Sequence, residues 1–157
     1  MIKSPVFKNA VIFVKDIEVS KQFYTGFMNQ EIEYDFGDNV AFKGGISIWK
    51  ISPSHEIADI TSAGKINSSG FELYLETESI DEIADKIVKN SIKMLHPLKT
   101  EPWGQKTIRI FDPDGHLIEI GESLETFIKR IYRETGSVEE TSRNTGVPQS
   151  LVEKIIQ

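Results

Sequence analysis

A chain of 157 residues is of ordinary size for one domain and can bury about two thirds of the surface its unfolded form exposes without covalent help. It has no cysteine, which excludes disulfides, thiolate metal sites and a cysteine nucleophile, and no stretch approaches the roughly 18 apolar residues of a membrane span. With 24 acidic against 18 basic side chains, the net charge of -6 argues against a phosphate-backbone partner and suits a small or cationic ligand.

Residues 9–14 alternate, with Ala10, Ile12 and Val14 on one side and Asn9, Val11 and Phe13 on the other, and so predict a strand. Asp16 is placed to cap a helix whose apolar positions Val19, Phe23, Tyr24 and Phe27 fall at helical spacing, with Gly26 favouring its stop. Residues 31–35, 39–43 and 46–51 read as three strands parted by Gly37-Asp38 and Gly44-Gly45. Residues 52–68 turn polar and rich in serine, a connector with one short helical turn near residues 56–60. The order then begins again. Phe71, Leu73 and Leu75 alternate with Glu72, Tyr74 and Glu76, and Ser79 with Glu82 forms a capping box. The helix it opens carries Ile80, Ile83, Ala84, Ile87 and Val88 on one face. Strands at residues 93–95, 106–111 and 116–120 complete the second unit.

The last two of these strands are joined by Asp112-Pro113-Asp114-Gly115, in which Pro113 sets φ for a type I turn and Gly115 takes the left-handed position after it. A three-residue loop pairs Arg109 with Glu119, Ile108 with Ile120 and Ile110 with Ile118, keeping isoleucines on one face and Arg109 beside Glu119 on the other. A four-residue loop scrambles polar and apolar side chains on both faces, so the first register is expected.

Two strand-helix-three-strand units make an internal repeat, and two copies of one module can each lay a curved sheet against the other and enclose a cleft. The fold class expected is therefore α+β, two tandem βαβββ modules at about residues 5–51 and 69–122, with a connector at 52–68 and a helical tail at 123–157. The stretch PWGQ, the alternating strand, FDPDG and LIEIGE resemble the last quarter of the glyoxalase, bleomycin-resistance and extradiol-dioxygenase family, the vicinal oxygen chelate superfamily. The resemblance runs over roughly residues 5–122.

Helices are expected over the faces of Ile12, Leu73 and Ile118, which leaves Asn9, Val11, Phe13, Ser47, Trp49, Glu72, Tyr74, Arg109 and Glu119 to line the cleft. In metal-dependent members four ligands come from the first and last strands of the modules, and the resemblance maps those positions onto Asn9, Trp49, Glu72 and Glu119. Two are carboxylates; an asparagine oxygen is a poor ligand for zinc or nickel, and an indole is none. The resemblance thus implies small-molecule binding without the usual four-ligand metal site, as in bleomycin-binding members. Asn9, Phe13, Trp49, Tyr74, Trp103 and Arg109 are the candidate ligand contacts. The aromatic members of that set serve equally well as core or as a homodimer contact. The competing reading is a divalent-metal enzyme, a lyase, isomerase or dioxygenase, with Mg, Mn or Ca on Glu72, Glu119 and Asn9 and with Glu119 and Glu72 as its catalytic carboxylates. Against it stands an ion pair of Glu119 with Arg109 across the hairpin.

His55, His96 and His116 match no family ligand position and are expected in surface or cap roles. In the tail, Leu124, Phe127, Ile128, Ile131 and Tyr132 predict a helix, Ser137 with Glu140 a second capping box, and Pro148 the start of a last helix, with residues 137–156 resembling a small helix-turn-helix. Its five basic side chains (Lys129, Arg130, Arg133, Arg143, Lys154) equal its five acids (Glu125, Glu134, Glu139, Glu140, Glu153), so packing on protein is expected ahead of nucleic-acid binding. Residues 1–7 are too short and mixed for a secretory leader, and with no cysteine the expected compartment is the cytoplasm.

Overall fold

The computed structural model describes residues 8–55, 58 and 71–157. Two four-stranded sheets account for the strands. In the first, β1 (Ala10–Phe13), β4 (Ile46–Trp49), β3 (Asn39–Phe42) and β2 (Ile32–Asp35) lie side by side in that order; in the second, the order is β5 (Leu73–Thr77), β8 (Leu117–Glu122), β7 (Lys106–Phe111) and β6 (Met94–Thr100). The first and last strand of each set pair in parallel and the others antiparallel, which is the repeated βαβββ arrangement the sequence predicts.

The chain divides into two compact units. The first comprises residues 1–70 together with the turn Asp112–Gly115, and the second holds the remainder. In the first unit, alternation sends Ile12, Val40, Phe42 and Ile48 to one face of the sheet, where all four are buried. Helix α1 (Ile17–Gln22) packs against β4 and is capped by Asp16, whose carboxylate accepts from the amides of Glu18 and Val19. After six residues the helix widens into a π-turn at Phe23–Phe27, which buries Phe23 and Tyr24. Val19, expected on the buried stripe, is half exposed, and Ser20 is buried in its stead. Helical spacing drawn from Val19 to Phe27 assumed one pitch throughout, and the π-turn changes it.

The turn Asp112–Gly115 is fastened into the same unit. The Tyr24 hydroxyl donates to Asp112 at 3.0 Å, the Ser20 hydroxyl and the Lys15 amide donate to Asp114 at 3.2 Å each, and the amide of Asp114 closes back on the Asp112 carboxylate at 3.0 Å. Gly115 has φ +90°, the left-handed position expected of it.

In the second unit Leu73, Ile108, Ile110, Ile118 and Ile120 form the buried face, covered by Ile80 and Ile87 of α2 (Ile80–Lys89). The register across β7 and β8 pairs Ile108 with Ile120, Arg109 with Glu119 and Ile110 with Ile118, as expected from a three-residue loop. Ser79 gives α2 no side-chain cap, contrary to the capping box expected there; instead its own amide donates to the Thr77 hydroxyl. β6 is longer than expected, seven residues rather than three, because a strand through Pro97 survives at the sheet edge with two register shifts. The helical turn expected near residues 56–60 lies outside the described residues apart from Ala58.

Three helices follow: α3 (Leu124–Thr135), α4 (Val138–Thr145) and α5 (Gln149–Ile156). Ser123 and Ser137 cap the first two through the amides of Thr126 and Glu140, and Phe127, Ile128, Ile131 and Val152 make their common core. Among the described residues no helix is long and apolar enough to cross a membrane.

Candidate functional site

The face of the second sheet turned away from its isoleucines is organised by one cation. Arg109 stands next to Glu119 across the β7–β8 register, and three carboxylates converge on its guanidinium: Glu72 at 3.0 Å on Nε, Glu101 at 3.1 Å on Nη1, and Glu119 on Nη2. His96, opposite Arg109 on β6, brings Nε2 to 3.3 Å from Nη1 and sets Nδ1 2.8 Å from the Pro97 carbonyl. Glu101 is buried and also accepts from the Thr107 hydroxyl at 2.8 Å and pairs with Lys99 at 3.3 Å. The Thr107 bond, aided by Lys99 and Arg109, holds the Glu101 carboxyl below its ordinary range in spite of burial. Burial opposes the charge on Arg109, but Glu72 and Glu101 outweigh it and raise the Arg109 pKa above its ordinary value.

Beside this cluster lies a second arrangement. Tyr74 and Trp103 are each nearly half exposed, and Gln105 ties them: its amide nitrogen donates to the Tyr74 hydroxyl at 3.0 Å and to the Glu122 carbonyl at 2.8 Å, while its oxygen accepts from the Trp103 indole at 3.1 Å. The Tyr74 hydroxyl donates onward to Glu76 at 3.1 Å. Space for this triad comes from Gly121. A Cβ there would lie 2.9 Å from the Gln105 nitrogen and 3.2 Å from the Tyr74 oxygen. Gly121→Val should therefore expel Gln105 and release Trp103, with a loss of about 1–2 kcal/mol in a denaturant melt and greater acrylamide quenching of Trp103. Unchanged quenching would count against the triad.

In the first unit, Asn9 donates from Nδ2 to the buried Ser47 hydroxyl. Phe13 and Trp49 are register partners with ring centroids 6.1 Å apart, and His55 meets Trp49 edge-on at 5.3 Å. The predicted residues thus fall into two sets, Asn9, Phe13 and Trp49 in one unit and Glu72, Tyr74, Trp103, Arg109 and Glu119 in the other.

Three participants were not foreseen. His96 reaches Arg109 from an edge strand with shifted register and Glu101 from just past the end of that strand, so no alternation points to them, and Gln105 is visible in sequence only as part of PWGQ. The histidine expectation is corrected in two places: His96 is half-buried against Arg109, and His116 is buried with its ring 6.1 Å from that of Phe71. His116, just before β8, shares the parity of Ile118 and Ile120 and is buried with them, which leaves it no surface role.

As they stand, Glu72 and Glu119 do not fit a divalent ion, because a second cation would have to sit against the guanidinium that both already hold. Among the described residues no group of three or more His, Asp or Glu side chains is arranged to hold a metal.

A family profile for a glyoxalase-like domain matches residues 7–125. Among solved structures, a protein of unknown function from Agrobacterium tumefaciens str. C58 is 33% identical, with a TM-score of 0.67 over 78% of this chain and 98% of its own. A lactoylglutathione lyase from Agrobacterium tumefaciens shares 19% identity, with a TM-score of 0.58 over 77% of this chain and 96% of its own. A glyoxalase/bleomycin resistance protein/dioxygenase from Nocardioides shares 17%, with a TM-score of 0.60 over 78% of this chain and 85% of its own. A comparison with curated proteins found no match. The family match spans both βαβββ sets and stops at the first turn of α3, and the chain belongs to the glyoxalase-like family of the vicinal oxygen chelate superfamily.

Proposed function

We propose that this protein binds a small, planar, cationic molecule on the Arg109 face of its second sheet, without the four-ligand metal centre of metal-dependent relatives. The observation that carries this is the placing of Arg109. It occupies the position between Glu72 and Glu119 and ties up the carboxylates that would otherwise serve a metal. The face still holds more acid than base: Glu72, Glu76, Glu101 and Glu119 stand against Arg109 and Lys99. Exposed Tyr74 and Trp103 lie next to that surplus, and aromatic faces beside carboxylates favour an organic cation. Such a molecule would stack on Trp103 and Tyr74 and set its charge toward Glu76, an exposed acid that Arg109 does not hold.

Trp49→Phe leaves Trp103 as the sole tryptophan and makes its emission a direct report. Bleomycin, N-methylquinolinium and its neutral counterpart quinoline are then titrated in turn. Saturable quenching by the cations, with quinoline about tenfold weaker and added salt weakening the cations alone, is the expected result. Equal affinity of quinoline and N-methylquinolinium would remove the role of charge. No saturable change with any of the three up to about 1 mM would end the proposal.

A further inference from the structure

The three C-terminal helices lie almost wholly beyond the family match, yet one of them grips the loop that carries Trp103 and Gln105. Arg130 on α3 donates from Nη2 to the Gly104 carbonyl at 2.7 Å. The same guanidinium forks onto the buried Glu122 carboxylate, with Nε 2.9 Å from Oε1 and Nη2 2.6 Å from Oε2. Glu122 in turn accepts from the amide of Lys106 at 2.8 Å, and its carbonyl takes the Gln105 side chain. The second half of the turn, Gly104 to Lys106, is thereby fixed to one ion pair.

Packing gives the same assignment independently. Gly104 has φ +95°, and a Cβ on it would lie 3.4 Å from Phe127 Cε2 and 3.6 Å from Ile131 Cδ1, so its backbone rests on the buried side of α3. Arg130 also lies over the Phe127 ring, its guanidinium carbon 5.8 Å from the centroid. A planar fork with three acceptors in fixed directions is a task for arginine; a lysine ammonium cannot span them.

We infer that the C-terminal helices act on the ligand-binding face, with Arg130 as the positioning residue that holds the turn of residues 101–106 so that Trp103 and Gln105 meet Tyr74. Ligand affinity is then set in part by an element outside the family core. The statement about affinity rests on the binding reading above, whereas the statement about the turn does not.

The two are separated by reading Trp103 with and without ligand, in the full chain carrying Trp49→Phe. Arg130→Gln should raise acrylamide quenching of Trp103 about twofold and weaken N-methylquinolinium about tenfold, with the far-UV helix signal intact. Arg130→Lys should recover little of either, since the fork is what matters. Should Arg130→Gln fail to fold, Glu122→Gln, which keeps the shape of the side chain and removes its charge, is read by the same two measurements and should move both in the same direction. Unchanged quenching in a folded variant would overturn the positioning role. Raised quenching with unchanged cation affinity would overturn the link to binding. If the cation does not bind the parent at all, the binding proposal falls and the ligand-free quenching still decides whether Arg130 holds the turn.

Discussion

Arg109→Met is expected to destabilise the protein by about 3–5 kcal/mol near neutral pH, the loss typical of removing one partner from a buried ion cluster. It strips Glu101 and Glu119, both buried, and Glu72 of the charge that compensates them. The sign of the pH dependence follows from their states. In the parent, the Glu101 carboxyl titrates below its ordinary value of 4.5, so its contribution is present above that value and fades as pH falls through the lowered one. Without Arg109 the buried carboxylates favour their protonated forms, so the variant loses stability as pH rises and approaches the parent as pH falls. Urea melts between pH 4 and 8 should show a gap that is widest at neutral pH and narrows in acid. A gap that is constant with pH would mean that Arg109 contributes packing alone. The same variant tests the metal argument. With the guanidinium gone, Mn2+ should raise its Tm, and the parent should not respond. A rise of several degrees in the parent would revive a divalent-metal enzyme built on Glu72 and Glu119.

Asp112→Ala is expected to cost about 2–3 kcal/mol, because it leaves the Tyr24 hydroxyl, 1% exposed, without its acceptor. The same change removes the carboxylate that accepts from the Asp114 amide and stabilises the turn. Tyr24→Phe should cost less, about 1 kcal/mol, since only the hydroxyl is lost. Chemical denaturation of both single variants and the double variant should show a coupling, the double variant being less destabilised than the sum. Additive losses would mean that the 3.0 Å bond contributes nothing. Burial and the Asp112 charge push the Tyr24 phenol far above its ordinary value of 10.0. Its contribution is therefore full below pH 10 and is lost only as alkali ionises the unfolded chain.

The register of the second hairpin was legible because two local signals agreed. Asp-Pro-Asp-Gly fixes a three-residue loop, and the isoleucine alternation on both sides tolerates only one pairing, which puts Arg109 beside Glu119. From that pairing an ion pair could be anticipated. Its extension to Glu72, Glu101 and His96 could not, since side chains from three further positions meet it through tertiary placement and an irregular edge strand. The same limit applies to Gln105 and Arg130. Each is an ordinary polar residue in sequence and is given meaning by a partner far along the chain, Gln105 by Tyr74 and Glu122, Arg130 by Gly104. Val19 was misplaced for a local reason, namely that the π-turn breaks the period from which its face was read, whereas His116 keeps the parity of Ile118 and Ile120 and only the surface role expected of it fails.

The turn Asp112–Gly115, grouped with residues 1–70, has a bearing on the order in which the protein can be assembled. During synthesis the N-terminal sheet emerges first, but the acceptor for Tyr24 is made some forty residues after the stretch ends, once the second sheet is already under way. A nascent chain paused in between holds a phenol that must stay wet or go unsatisfied. The repeat in the sequence invites division into two interchangeable halves, yet a gene cut at the connector would yield a first half lacking its own last piece. Exchange of halves between relatives of this family should therefore succeed only when the four residues of the turn travel with the N-terminal half.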